Sequence, residues 1–355
     1  MSDINKFAAI IVTMLWCLDC TAQQFGLSWI SYPQPDSCAV VWFRQLFTAE
    51  GRPRHACITV ATTGYVELYV NQRNVTGDVL TPLREPMSDN PIAITYDVTR
   101  FMRPDTNTVA VCFAPSFPHI VPAQMALSFY GRDADGKPFA YNTDDGWLCR
   151  TDATSLTKDG YERIDATKSP ISSYTGDLYV ACWIPSVMAE TTGMRPAEQR
   201  MIRYEAAKIG DIRQQRYFDI EGDSVVYDFG TAFKGLVRVT LRDAIPGEHI
   251  NIGGMEYTCS GDADEQAIQR FTTTDCRRLL ICGDEHFDRE QIQKVEALEI
   301  INLYKRSGRI ECPENSIQTQ KQQDRSRARN KYFHTAGTSL PKNRTSNSER
   351  QYTQF

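Results

Sequence analysis

Asp284-Glu285-His286-Phe287-Asp288-Arg289-Glu290 is the one short run in this chain that crowds carboxylates around a histidine and an arginine. Two carboxylates placed on opposite sides of a glycosidic bond, with room for a water between them, can act as general acid and general base. The run lies inside a β-rich stretch, however, and reads as an acidic surface turn. No nucleophile-elbow serine, phosphate-cradling glycine loop or metal-binding helix motif occurs elsewhere. His55, His119, His249, His286 and His334 are far apart, and none has a cysteine or acid at triad-like spacing. The sequence therefore assigns no catalytic residue, no metal ligand and no cofactor.

Binding chemistry has more to rest on. Saccharides are held by aromatic faces stacked on their C–H groups and by planar polar side chains meeting their hydroxyls. Trp147, beside Asp144-Asp145 and close to Arg150, has that composition. Trp183, following Tyr174 and Tyr179, is a second candidate. The expected carbohydrate-contacting set is Trp147, Asp145, Arg150 and Trp183. The competing reading for each tryptophan is core packing or a hinge between two blocks.

Positioning such side chains needs a folded scaffold, and the composition supplies one. The 355 residues are 41% hydrophobic and 10% aromatic, which suits buried cores in two or three domains. The net charge of −5 is uneven. Between Gln318 and Phe355, eight Lys or Arg face two acidic residues, so the remainder is clearly acidic and ill-suited to nucleic acid. Ala8 to Leu18 is a nearly unbroken apolar run, too short to span a bilayer stably. With Cys20-Thr21-Ala22 it reads as a signal peptide over 1–22, with Gln23 as the mature N-terminus. A lipid on Cys20 and a cytosolic N-terminal helix are the rivals. Export to the periplasm, cell surface or medium follows from the first reading, with no stable membrane span. Eleven cysteines fall to nine after cleavage, an odd number lacking zinc-ligand spacing. Most sit in apolar runs and read as small buried hydrophobes, against a disulfide framework.

From Trp29 to about Ile300 the pattern is strand, turn, strand. Val40–Phe43, Ala56–Ala61, Tyr65–Val70, Ile92–Tyr96, Thr108–Phe113 and Met125–Tyr130 form one set of short strands. Prolines between 82 and 122 exclude long helices. Asp133–Gly160 reads as a hairpin with exposed loops, and Met188–Gln199 as a linker. A second block carries strands at Val225–Phe229, Gly235–Leu241, His249–Tyr257 and Leu279–Cys282, with glycines at its turns. The expected fold is all-β: two consecutive antiparallel β-sandwiches of jelly-roll, galactose-binding-like type. The expected domains are 23–200 and 201–302, a linker over 303–315 and a basic disordered tail over 316–355. That tail is too poor in apolar residues to offset its ordering entropy.

Several segments resemble the N-terminal accessory domains of bacterial α-L-rhamnosidases, glycoside hydrolase family 78. Thr63 to Asn71 (TGYVELYVN) resembles a strand-and-turn motif of that family. Val79-Leu80-Thr81-Pro82 stands where the family has leucine–x–proline. Thr95-Tyr96-Asp97-Val98-Thr99 with Pro104-Asp105-Thr106-Asn107 is similar to another strand and turn. Val226-Tyr227-Asp228-Phe229-Gly230, followed by Gly235-Leu236-Val237-Arg238-Val239, is the most specific match. Gly253-Gly254-Met255-Glu256 and Ser307 to Cys312 extend the resemblance to about 29–315. It implies galactose-binding-like sandwiches leading into an (α/α) catalytic barrel, and about 40 residues beyond Cys312 cannot hold such a barrel. Two departures stand out. Cys282 to Phe287 passes almost directly to Val295-Glu296-Ala297-Leu298, as if a strand were lost. The run 284–290 also lacks the glycine and tryptophan that trail the family's acid.

These readings combine into one expectation: a non-catalytic, carbohydrate-binding or scaffolding portion of an exported rhamnosidase-like protein, possibly a truncated product. Its partner would be a plant-type or rhamnose-containing polysaccharide. A self-sufficient hydrolase acting on α-L-rhamnosides, or a surface module recognising another protein, are the alternatives.

Overall fold

Runs of β-branched and aromatic residues separated by Gly, Pro, Asn and Asp become strands throughout. The computed structural model describes residues 28–34, 36–83, 91–117, 123–168, 183–189 and 205–302. The signal-peptide expectation at 1–22 and the linker and tail expectations at 303–355 lie outside these residues. So does the linker expected over Met188–Gln199, apart from Ala189 and from Met188, which is the last residue of a short strand. No α-helix occurs among the described residues.

The first block contributes β1 (Ile30–Ser31), β2 (Ala39–Thr48), β3 (His55–Thr62), β4 (Tyr65–Val70), β5 (Arg73–Asn74), β6 (Val79–Leu83) and β7 (Ile92–Asp97). It continues with β8 (Thr106–Ala114), β9 (Met125–Arg132), β10 (Pro138–Asn142), β11 (Leu148–Leu156), β12 (Glu162–Asp165), β13 (Ile184–Pro185) and β14 (Val187–Met188). The second block contributes β15 (Glu205–Gln214), β16 (Tyr217–Glu221), β17 (Ser224–Leu241), β18 (His249–Ile252), β19 (Met255–Thr258), β20 (Glu265–Ile268), β21 (Thr274–Gly283) and β22 (Ile292–Asn302).

One sheet runs β14-β1-β9-β3-β7, with β10 added to β9. The other runs β5-β4-β8-β2-β11-β12-β19-β18-β21-β17-β22-β15-β6, with β13 on β11 and both β16 and β20 on β17. Every pairing is antiparallel except β12 with β19, the parallel seam between the blocks.

The first core lies between the smaller sheet and the β4-β8-β2-β11 portion of the larger one. Ile58 and Val60 of β3 and Leu127 and Phe129 of β9 meet Leu68, Val111, Phe113, Val41 and Phe43 across the gap. Each such side chain contributes about 1.5–3 kcal/mol on leaving water. The outward face of the larger sheet is covered as well. There Val40, Trp42, Tyr69, Ala110, Cys112 and Ala114 form a second apolar layer with Trp183 and Phe271. Burial on both faces explains why β2 and β8 read as continuous apolar runs rather than alternating ones. The second block has its own core, with Val237, Val239, Ile250, Ile252, Ile281, Val295 and Ala297 at its centre. Ile164 and Ala166, from β12 and just after it, pack on that core.

Three sequence expectations change. Asp133–Gly160 is not one hairpin: β10 turns back on β9, whereas β11 joins the other sheet beside β2. Val225–Phe229 and Gly235–Leu241 are halves of one long strand, irregular between Asp228 and Phe233. His249–Tyr257 is a hairpin, β18 with β19, closed at Gly253-Gly254. Both glycines have positive φ, 58° and 99°, as a two-residue turn of that hand requires. The run Val295–Leu298 lies within β22, which pairs with β17 on one side and β15 on the other.

Candidate functional site

The residues that carry the family resemblance fasten turns. Asn71, at φ 50°, donates from Nδ2 to the Phe101 carbonyl and to Asn107 Oδ1, both at 2.9 Å, and accepts from Thr108 N at 2.9 Å. Asp97 accepts from Thr99 N at 2.9 Å, and Thr99 Oγ1 accepts from Ala56 N at 2.9 Å. Asp228 accepts from Gly230 N at 2.6 Å, Tyr217 Oη at 2.9 Å and Arg277 Nε at 3.1 Å. Burial works against the Asp228 charge, but these three donors outweigh it and hold its pKa below the ordinary carboxylate value.

The acidic run is a capped turn. Asp284 accepts from the backbone N–H of His249 and of His286, each at 2.9 Å, and these bonds hold its pKa down. Asp288 caps the short 3-10 turn Arg289–Gln291 by accepting from Glu290 N at 3.0 Å. Among the described residues, no group of three His, Cys, Asp or Glu side chains is arranged to hold a metal ion. Cys38, Cys57, Cys112, Cys149, Cys259, Cys276 and Cys282 are all free thiols, with Cys112, Cys149 and Cys259 buried. Cys182 and Cys312 lie outside the described residues.

The four carbohydrate-contact candidates are not brought together. Trp147 is 1% exposed in the first core, edge-on to Phe47 at 6.3 Å between ring centroids. It presents no ring face to a sugar, because Trp147, just before β11, and Cys149 on β11 both point into the first core. Asp145 is exposed on the turn before β11, where the neighbouring Asp144 accepts from Gly146 N. Arg150 is half-buried on β11, opposite Trp42 of β2. Trp183 is 8% exposed in the outer apolar layer, with the Arg44 guanidinium 5.6 Å from its ring centroid. Tyr174 and Tyr179 fall outside the described residues.

A dense polar cluster lies where the two blocks meet, and of its residues only Glu67 fell within a motif quoted from the sequence. Arg270, in the connection between β20 and β21, donates from Nη2 to Glu67 Oε2 at 2.7 Å and from Nη1 to Asp152 Oδ2 at 3.0 Å. Nη2 also lies 3.6 Å from the Cys112 sulfur. Burial disfavours the guanidinium charge, but the Glu67 and Asp152 carboxylates more than compensate and drive its pKa up. Beside it, Glu162 is fully buried. Its Oε1 accepts from the backbone N–H of Arg270, Phe271 and Thr272 at 2.9, 2.8 and 2.8 Å, and from Thr272 Oγ1 at 2.9 Å. Burial pushes the Glu162 pKa up, while these donors pull it back. The one local sign was Glu67, an acid on a strand whose other outward residues, Tyr65 and Tyr69, are aromatic.

Residues 51–120 match the family described as Alpha-L-rhamnosidase N-terminal domain. Among solved structures, the alpha-L-rhamnosidase from Dictyoglumus thermophilum superposes with a TM-score of 0.68 at 18% identity, over 79% of this chain and 36% of that one. The Streptomyces avermitilis alpha-L-rhamnosidase complexed with L-rhamnose gives 0.65 at 18%, over 76% and 29%. The native Aspergillus terreus enzyme gives 0.67 at 14%, over 79% and 37%. This chain thus spans about a third of the length of these three rhamnosidases. No curated protein matches it in sequence. Residues 51–120 are thus similar to the N-terminal domain of α-L-rhamnosidases, the chain shares the β fold of those three structures, and the described residues include no part of a helical barrel.

Proposed function

We propose that this chain serves as the non-catalytic, exported accessory part of an α-L-rhamnosidase-type protein, a rigid scaffold that presents itself to rhamnose-containing polysaccharide. The observation that carries the scaffold reading is the junction of Arg270, Glu67, Asp152 and Glu162. It ties two sandwiches through charges that are costly to separate once buried. Export rests on the apolar run before Ala22, and no helix of the described residues is long and apolar enough to cross a membrane. Polysaccharide contact rests on the related fold and on the polar side chains left accessible near β11, Asp145 exposed on the turn before it and Arg150 half-buried on the strand.

Incubation of the purified chain with an aryl α-L-rhamnoside is expected to give no turnover. Robust turnover abolished by Asp288→Asn or Glu290→Gln would replace this reading with that of a self-sufficient hydrolase. Binding to rhamnose-rich pectin is expected to weaken in the Asp145→Ala, Arg150→Ala double variant. Binding that is absent in the parent chain leaves the scaffold reading and removes the glycan partner.

A further inference from the structure

The connection between β20 and β21 distributes its hydrogen bonds unusually. Its first residue, Gln269, is tied to its own sandwich: Gln269 N donates to the Val237 carbonyl at 3.1 Å, and Gln269 Oε1 accepts from Val237 N at 2.9 Å and Thr274 Oγ1 at 3.1 Å. The next three residues turn away. Arg270, Phe271 and Thr272 direct three successive backbone N–H groups at one carboxylate of the other block, that of Glu162. Their side chains follow. The Arg270 guanidinium enters between Glu67 and Asp152 and lies 4.8 Å from the centroid of the Phe271 ring. Phe271 joins Trp42, Tyr69 and Trp183 in the outer apolar layer.

We infer that residues 270–272 form a latch, an internal ligand seated on the aromatic and acidic outer face of the first sandwich, which opens as one unit between posts at Gln269 and Thr274. The inference goes beyond the scaffold reading, because it concerns how the junction opens and not what the chain binds. Cooperative local opening is governed by the bonds that break together. Here the backbone bonds of the latch share a single acceptor and its ion pairs share a single guanidinium, so they break as a group. The parallel pairing of Arg163, Ile164 and Asp165 with Glu256, Tyr257 and Thr258 is separate from the latch and keeps the blocks joined when it opens.

Three buried thiols report on this opening. Cys112 is fully buried on the latched face with its sulfur against Arg270. Cys149 belongs to the first core and Cys259 to the second. Alkylation by a small maleimide in native buffer, resolved by peptide mass spectrometry, reads all three in the full-length chain. In Glu162→Gln and in Thr272→Ala, Cys112 is expected to react on the order of tenfold faster, with Cys149 and Cys259 unchanged. A tenfold change corresponds to about 1.4 kcal/mol of lost latch stability. Equal protection of Cys112 in the parent and both variants would overturn the inference. So would a joint acceleration of all three thiols, which would make the loop an inseparable part of one fold. The rhamnoside assay is indifferent to either result, so the two readings fail separately.

Discussion

Arg270 is one positive charge between a part-buried and a buried carboxylate, with side-chain exposures of 15%, 21% and 2% for Arg270, Glu67 and Asp152. Removing the cation leaves the acids close together without compensation. Arg270→Met is therefore expected to cost about 3–5 kcal/mol in urea unfolding. A cost below about 1 kcal/mol, the level of an exposed pair, would show that solvent screens the cluster. Asp228 gives a pH-dependent counterpart. Its folded pKa lies below the ordinary 3.8, so its contribution is present above that value and is lost as pH falls through the folded one. Asp228→Asn should lower the thermal midpoint at neutral pH, with the gap from the parent closing below about pH 4. A gap constant across that range would mean that side-chain shape, not charge, matters there.

At the scale of elements, β17 is the spine of the second block. Ser224–Asp228 pairs with β16, and β21 runs beside Val225–Asp228 and again beside Phe233–Gly235. The stretch from Gly235 to Leu241 pairs with β22 and, over its last four residues, with β20. Gly235 sits where the spine crosses β22, and a Cβ there would overlap the carbonyl oxygen of Leu298. Because that obstacle is backbone, the strands must separate to accept it. Gly247 has φ of 88° but nothing within 4 Å of an added Cβ, so alanine there meets conformational strain alone. Gly247→Ala should cost about 1 kcal/mol. Gly235→Ala should cost about 1–3 kcal/mol or more. Thermal denaturation followed by far-UV circular dichroism measures both, and the reverse order would contradict the observed close approach.

At the scale of the described residues, two hydrophobic cores are linked by the parallel β12–β19 seam, by the antiparallel β6–β15 pairing and by the latch with its ion pairs. Cores coupled this way should melt together. Calorimetry of the parent chain is expected to show one transition with matching calorimetric and van't Hoff enthalpies. Two resolved transitions in the parent would indicate that the junction contributes too little to couple them.

Much of this architecture was legible locally. Tyr65–Val70 was delimited to the residue, because a strand of alternating β-branched and aromatic residues between Gly64 and Asn71 needs only neighbouring positions to be recognised. The turn residues Asn71, Asp97 and Asp228 were likewise visible as parts of motifs, since a side chain that bonds backbone a few positions away leaves a fixed spacing. Trp147 and Trp183 were not interpretable in the same way. An aromatic ring faces solvent or core according to what covers the second face of its sheet, and that cover comes from distant segments. The junction is the extreme case. Arg270 meets Asp152 and Glu67 across 118 and 203 residues of chain. Charges carry no periodicity, so local order determined the strands and their turns, while only tertiary packing decided which charges would be buried together.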